Sequence, residues 1–112
     1  MLQSVGKELP AGATTTLFTV PSGYVAVVLM IKVINGAGGS HSFSIDWHDG
    51  VTVSLHPTST LASKTSYTFG ADNEKLVMQE GDYLSITTAA ASDFSAIATM
   101  DITRTEKTPY NL

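Results

Sequence analysis

Tyr24-Val25-Ala26-Val27-Val28-Leu29-Met30-Ile31-Lys32-Val33-Ile34 is the most apolar run of the chain. Lys32 interrupts it, and it falls well short of the roughly 20 residues that a membrane-spanning helix needs. Its Val and Ile side chains lose rotamers against a preceding helical turn but pack freely on a pleated surface. The run is a strand. Under strict alternation Val25, Val27, Leu29, Ile31 and Val33 share one face, and Ala26, Val28, Met30 and Ile34 share the other. Both faces are then apolar, whereas the outward face of a sandwich strand ordinarily meets water. The second face needs a cover. We expect it to come from another subunit or from a terminal arm of the chain itself, which makes Ala26, Val28 and Met30 candidate interface residues.

Outward from that strand, turn signals recur at the spacing of an antiparallel sandwich: Pro21-Ser22-Gly23, Asn35-Gly36-Ala37-Gly38-Gly39-Ser40, His48-Asp49-Gly50, Pro57, Gly70-Ala71-Asp72-Asn73 and Glu80-Gly81-Asp82. They delimit about eight expected strands, at 14–20, 24–35, 40–48, 51–55, 66–69, 75–79, 83–88 and 94–104. In the third, Phe43, Ile45 and Trp47 alternate with Ser42, Ser44, Asp46 and His48; in the last, Phe94, Ala96, Ala98, Met100 and Ile102 alternate with Ser95, Ile97, Thr99, Asp101 and Thr103. No window carries the 3.6-residue apolar period of an amphipathic helix. The expected fold is all-β, a single antiparallel sandwich of jelly-roll type over residues 13–104, with an N-terminal arm at 1–12 and a C-terminal arm at 105–112. Tyr110 and Leu112 give the second arm something to bury, and they join the interface candidates.

Composition excludes several function classes. The 112 residues carry a net charge of −4 and no cysteine, so neither a disulfide framework nor a thiolate metal site is possible. Six scattered cations in an acidic chain form no basic patch, so we expect no nucleic-acid partner. The first ten residues lack the apolar core of a signal peptide, and no membrane association is expected. Charged residues make up 14% against the roughly 25% of an ordinary soluble chain. The polar share falls to hydroxyls: twelve Ser and fifteen Thr.

The catalytic inventory is thin. A serine-hydrolase elbow is missing, and the stretch Gly36-Ala37-Gly38-Gly39 lacks both the Lys-Ser/Thr pair and the helix of a phosphate-binding loop. It reads as a mobile hairpin connection. The cluster to weigh is Asp46, His48 and His56, with Asp49 and His41 nearby. Asp46 and His48 share a strand face about 7 Å apart, a separation from which a carboxylate and an imidazole can converge on a cation. They also stand where an alternating strand puts solvated residues, so they are weak candidates, and we expect no metal and no cofactor. Glu74, Glu80 and Asp82 are the candidates for a glycosidase-type carboxylate pair, and the last two are explained by a turn before a strand. Trp47 alternates in phase with Phe43 and Ile45 and is expected in the core; exposed, it would favour a carbohydrate-binding module.

Thr16-Leu17-Phe18-Thr19-Val20-Pro21-Ser22-Gly23-Tyr24-Val25-Ala26-Val27-Val28 resembles the opening of small β-sandwich virion proteins of tailed bacteriophages, where a Val-Pro-x-Gly turn leads into a long apolar strand closing near an Asn-Gly loop, as at Ile34-Asn35-Gly36. Leu76-Val77-Met78-Gln79-Glu80-Gly81-Asp82-Tyr83-Leu84-Ser85-Ile86 resembles their second signature, and the strand 96–104 is similar too. The resemblance spans about residues 13–104. It implies a non-enzymatic structural role as a capsid decoration, cement, head-fibre or tail-associated protein of the virion. It also implies a homo-oligomer, dimer or trimer, partnered by the major capsid protein or other virion proteins. It transfers no binding residue.

Overall fold

The computed structural model describes residues 1–105. They form nine strands: β1 (Leu2–Leu9), β2 (Thr14–Thr19), β3 (Tyr24–Asn35), β4 (His41–His48), β5 (Thr52–Leu61), β6 (Ser66–Phe69), β7 (Leu76–Met78), β8 (Tyr83–Thr88) and β9 (Phe94–Arg104). Two antiparallel sheets result, one ordered β1-β9-β3-β6 with β7 also on β3, the other β2-β8-β4-β5. The pairings nest: β4 with β5, β3 with β6 and β7, β2 with β8, β1 with β9. A long hairpin rolled onto itself in this way is the double Greek key of a jelly roll. The core lies between the sheets. Ala26, Val28, Ile31, Val33, Phe94, Ala96, Ala98 and Met100 meet Phe43, Ile45, Leu84 and Ile86 there, all essentially inaccessible. Phe43 and Phe94 approach across the seam with centroids 5.7 Å apart, and each such ring contributes roughly 1.5–3 kcal/mol by burial.

Two expectations are corrected. The segment expected as an N-terminal arm is strand β1, paired with β9 over its whole length from Leu2↔Asp101 to Leu9↔Phe94. It is an edge strand of which Val5 and Leu9 pack on the core, too few for alternation to mark it. Strand β5 runs on through Pro57, which was expected to break it. Between Phe43↔Ser59 and Ile45↔His56 the register slips, leaving Pro57 and Thr58 facing the single Ser44. An edge strand with a bulge has no ladder bond for proline to lose.

The decisive correction concerns β3. Against β9 its register runs Val28↔Met100 and then Met30↔Thr99, so Leu29 is a bulge residue. One extra residue inverts the phase. Before the bulge Ala26 and Val28 point into the core; after it Ile31, Val33 and Asn35 do. The strand is apolar in both phases because its two halves use opposite ones. Next to the bulge the opposing strand is split into β6 and β7. Gly70 (φ +95°) passes Leu29 so closely that a Cβ would collide with the Leu29 carbonyl oxygen.

Candidate functional site

The residues that carry chemistry are placed by these registers, and most serve the fold. His56 lies across from Ile45 and therefore on the inner face, stacked on Tyr67 (4.1 Å) and Phe43 (5.0 Å), with Nε2 2.7 Å from the Ser59 hydroxyl. Burial holds its pKa below the usual imidazole range. Tyr67 is shifted upward, by burial first and by the Glu74 carboxylate second. Asp46 and His48 stand on the outer face of the same sheet. His48 stacks on Tyr83 at 4.1 Å, and its ring nitrogens bond the Ser85 hydroxyl (2.8 Å) and the Thr52 hydroxyl (3.1 Å). The sheet thus separates His56 from Asp46 and His48, and the trio weighed as metal ligands does not converge. Among the described residues no group of three or more His, Asp or Glu comes together at metal-binding range.

The carboxylates build turns. Asp82 is buried and accepts hydrogen bonds from the Gln79 amide (3.0 Å) and the Trp47 indole (3.4 Å). Glu80 accepts from the Gly23 amide and the Ser22 hydroxyl, clamping the Pro21-Ser22-Gly23 turn. Trp47 itself packs, part-buried, against the core. The glycine stretch, expected as a mobile connection, is hydrogen-bonded at both ends. The wholly buried Asn35 amide donates to the carbonyls of Gly39, Leu61 and Ala62 and accepts from the Ala37 amide, while Ser63 and Lys64 donate to the Ala37 and Gly36 carbonyls. A buried amide with every polar atom bonded orders such a loop, since leaving one unpaired costs about 1–3 kcal/mol.

What is left for function is surface. Ala26 and Val28, expected at an interface, are sealed inside the molecule, because the bulge turned their half of β3 inward. Met30 does face out, beside Thr99. Tyr110 and Leu112 lie outside the described residues. Missed by strict alternation were Val25 and Val27, which the inversion turns outward, together with exposed Val77 on β7, in register with Val27. Ile34 and the 37%-exposed Ile97 complete an apolar band on the outer face of the β1-β9-β3-β6 sheet. The outer face of the β2-β8-β4-β5 sheet differs. Thr14, Thr16, Ser42, Ser44, Thr52, Ser54, Thr60, Ser85 and Thr87 dominate it, and among the described residues of its strands Asp46 is the one carboxylate.

No family model matches the chain, and no curated protein matches it. Among solved structures, similarity extends to a chain of the Bacillus endospore appendages, a family of disulfide-linked pili, at TM-score 0.59 and 13% identity over 95% of this chain and 88% of that one. A chain of the T13 IBDV viral particle matches at TM-score 0.53 and 15% identity over 89% of this chain, which spans 30% of that longer one. The globular domain of zebrafish complement 1qA protein matches at TM-score 0.52 and 16% identity, covering 89% and 94% of the two chains. At such identities the likeness is one of fold: an all-β sandwich shared by proteins of pili, viral particles and complement.

Proposed function

We propose that this chain is a non-enzymatic structural subunit of a virion, a decoration or cement protein that binds across capsomer junctions on the head. The observation that carries the reading is the pair of outer faces: one holds an apolar band and the other a lawn of hydroxyls, and charge is sparse on both, with Lys32, Asp101 and Glu8 on the first and Asp46 on the second. Such faces suit burial against neighbouring subunits, where each unpaired buried charge would cost several kcal/mol. The resemblance of residues 13–104 to phage virion proteins supports the same reading. So does a fold shared with a viral-particle chain and with a pilus chain. The mechanical effect is added shell stability from apolar burial and edge-strand pairing.

The test is electron microscopy of virions produced without this protein. Loss of defined density at capsomer junctions, with earlier release of DNA on heating, is expected; unchanged shell density overturns the reading. Labelling confined to the tail or neck would move the same structural role to a tail, neck or fibre-base component. A carbohydrate-binding module would need a stacking ring free to meet a sugar, and Trp47 is engaged with the core and with Asp82.

A further inference from the structure

We infer that the outer face of the β1-β9-β3-β6 sheet is a self-complementary interface that takes a second copy of this chain, with the two-fold axis crossing the sheet at the Met30–Thr99 pair. The inference rests on reading the chain as an assembly subunit and names that subunit's first partner.

Two independent features of the face support it. The first is area. Strand β3 alone is 12 residues long, about 40 Å, and four strands span about 19 Å with their flanks. The face therefore offers on the order of 700 Å² per copy, or about 1,400 Å² in a pair, within the 1,200–2,000 Å² of a stable protein–protein interface. Its centre carries Val27, Met30, Val77 and Ile97, and sheets with apolar faces pack in layers at about 10 Å.

The second feature is the placement of charge. Lys32 is level with Ile97, and Asp101 is level with Val27. Along β9 these two levels are four residues apart, about 13 Å, and Thr99 lies midway. A two-fold axis lying in the plane of the interface, across the strands at Thr99, exchanges the two levels. Each Lys32 then comes over the level of the partner's Asp101, one strand to the side, while the two lysines stay about 13 Å apart. Within one chain Lys32 and Asp101 are too far apart to pair. Among the described residues Lys32 has no ion pair, whereas Asp101 holds the amino terminus at 2.7 Å through one oxygen and keeps the other available. Glu8, the remaining carboxylate of this face, sits at its β1 margin, level with Ser95. An unrelated partner would impose no such symmetry. With Lys32 and Asp101 opposite in charge and equidistant from its apolar centre, the face matches its own copy.

Sedimentation equilibrium of the full chain, with far-ultraviolet circular dichroism to verify folding, tests the inference. The wild type is expected to dimerise in the micromolar range. Val77→Glu, at a half-exposed position outside the core, should weaken dimerisation at least 100-fold while leaving the spectrum unchanged. Lys32→Glu and Asp101→Lys should each weaken it about tenfold or more. The double variant Lys32→Glu/Asp101→Lys should recover most of the loss, because the pair is restored between chains and cannot form within one. A wild type that stays monomeric at hundreds of micromolar overturns the inference, and so does a dimer indifferent to Val77→Glu or a double variant no tighter than its parents. If a monomeric chain still coats particles, this inference falls and the virion role stands. If a charge-swappable dimer never joins a particle, the virion role falls and the dimer stands.

Discussion

The two outer faces are built on the same scaffold and carry opposite chemistry. On the β2-β8-β4-β5 sheet, strict alternation puts Phe43, Ile45, Leu84 and Ile86 inside and leaves serines and threonines outside, paired laterally as in Thr14–Thr87 at 2.8 Å. On the β1-β9-β3-β6 sheet the bulge at Leu29 lets an apolar strand serve the core with one phase in its first half and the other in its second. The residues freed by the inversion, Val25 and Val27, land on the surface. A one-residue irregularity is thus the source of the apolar band. It shows that a strand apolar in both phases has two readings: a second cover, or a change of phase.

Five substitutions break or sharpen this contrast. Gly70→Ala should have the largest effect, roughly 3 kcal/mol or more in denaturant unfolding, since it sets a Cβ against the Leu29 carbonyl at a left-handed φ. A mild cost there would mean that the bulge has slack and that the phase change is not fixed by packing. Asn35→Ala should cost about 2–3 kcal/mol, because it leaves the carbonyls of Gly39, Leu61 and Ala62 without their shared donor.

The phase change itself is read by a matched pair. Val28→Ala should destabilise by about 2 kcal/mol as a core truncation, and Val27→Ala by about 0.5 kcal/mol or less in the monomer. Reversed costs would restore strict alternation and remove the apolar band. Thr87→Ala on the hydroxyl face should also change stability little, by about 0.5–1 kcal/mol, since one lateral hydroxyl pair is lost where water can replace it.

A pH scan probes the seam between the sheets. His56 is part-buried against Tyr67, and its folded pKa lies below the 6.5 of a free imidazole. Above that value the ring is neutral in both states and its contribution is complete. As the pH falls below 6.5 the unfolded chain takes up the proton first, and stability is lost. The midpoint of thermal unfolding should drop between pH 7.5 and 5, and His56→Phe should flatten the drop; an unchanged slope would show that the seam does not sense protons through His56.

Most of the fold was legible because its signals are local. The ranges 24–35, 66–69, 83–88 and 94–104 coincide with β3, β6, β8 and β9, and Gly23, Gly70 and Gly81, all at positive φ, flank the first three of these. Strand β1 was not legible, since an edge strand buries too little for its side chains to alternate. Nor was the bulge. Lys32 fixes the phase of the second half of β3 by its need for water, but no charged residue marks the first half, so nothing betrayed the inversion. The candidate site fared worse for a related reason. Which face a residue takes depends on register, and slips opposite β4 sent His56 inward and away from Asp46 and His48.

The nested pairing has a consequence in time. The hairpin β4–β5 can close as soon as its two strands exist, but β1 waits for β9, roughly ninety residues downstream, and loops of that length make folding slow. The apolar band, to which β9 adds Ile97 beside β3, is the last surface to be completed. A chain interrupted before β9 lacks one of the two central strands of that face and cannot present it whole. On the proposed reading as an assembly subunit, competence to assemble would therefore arrive with the closing strand.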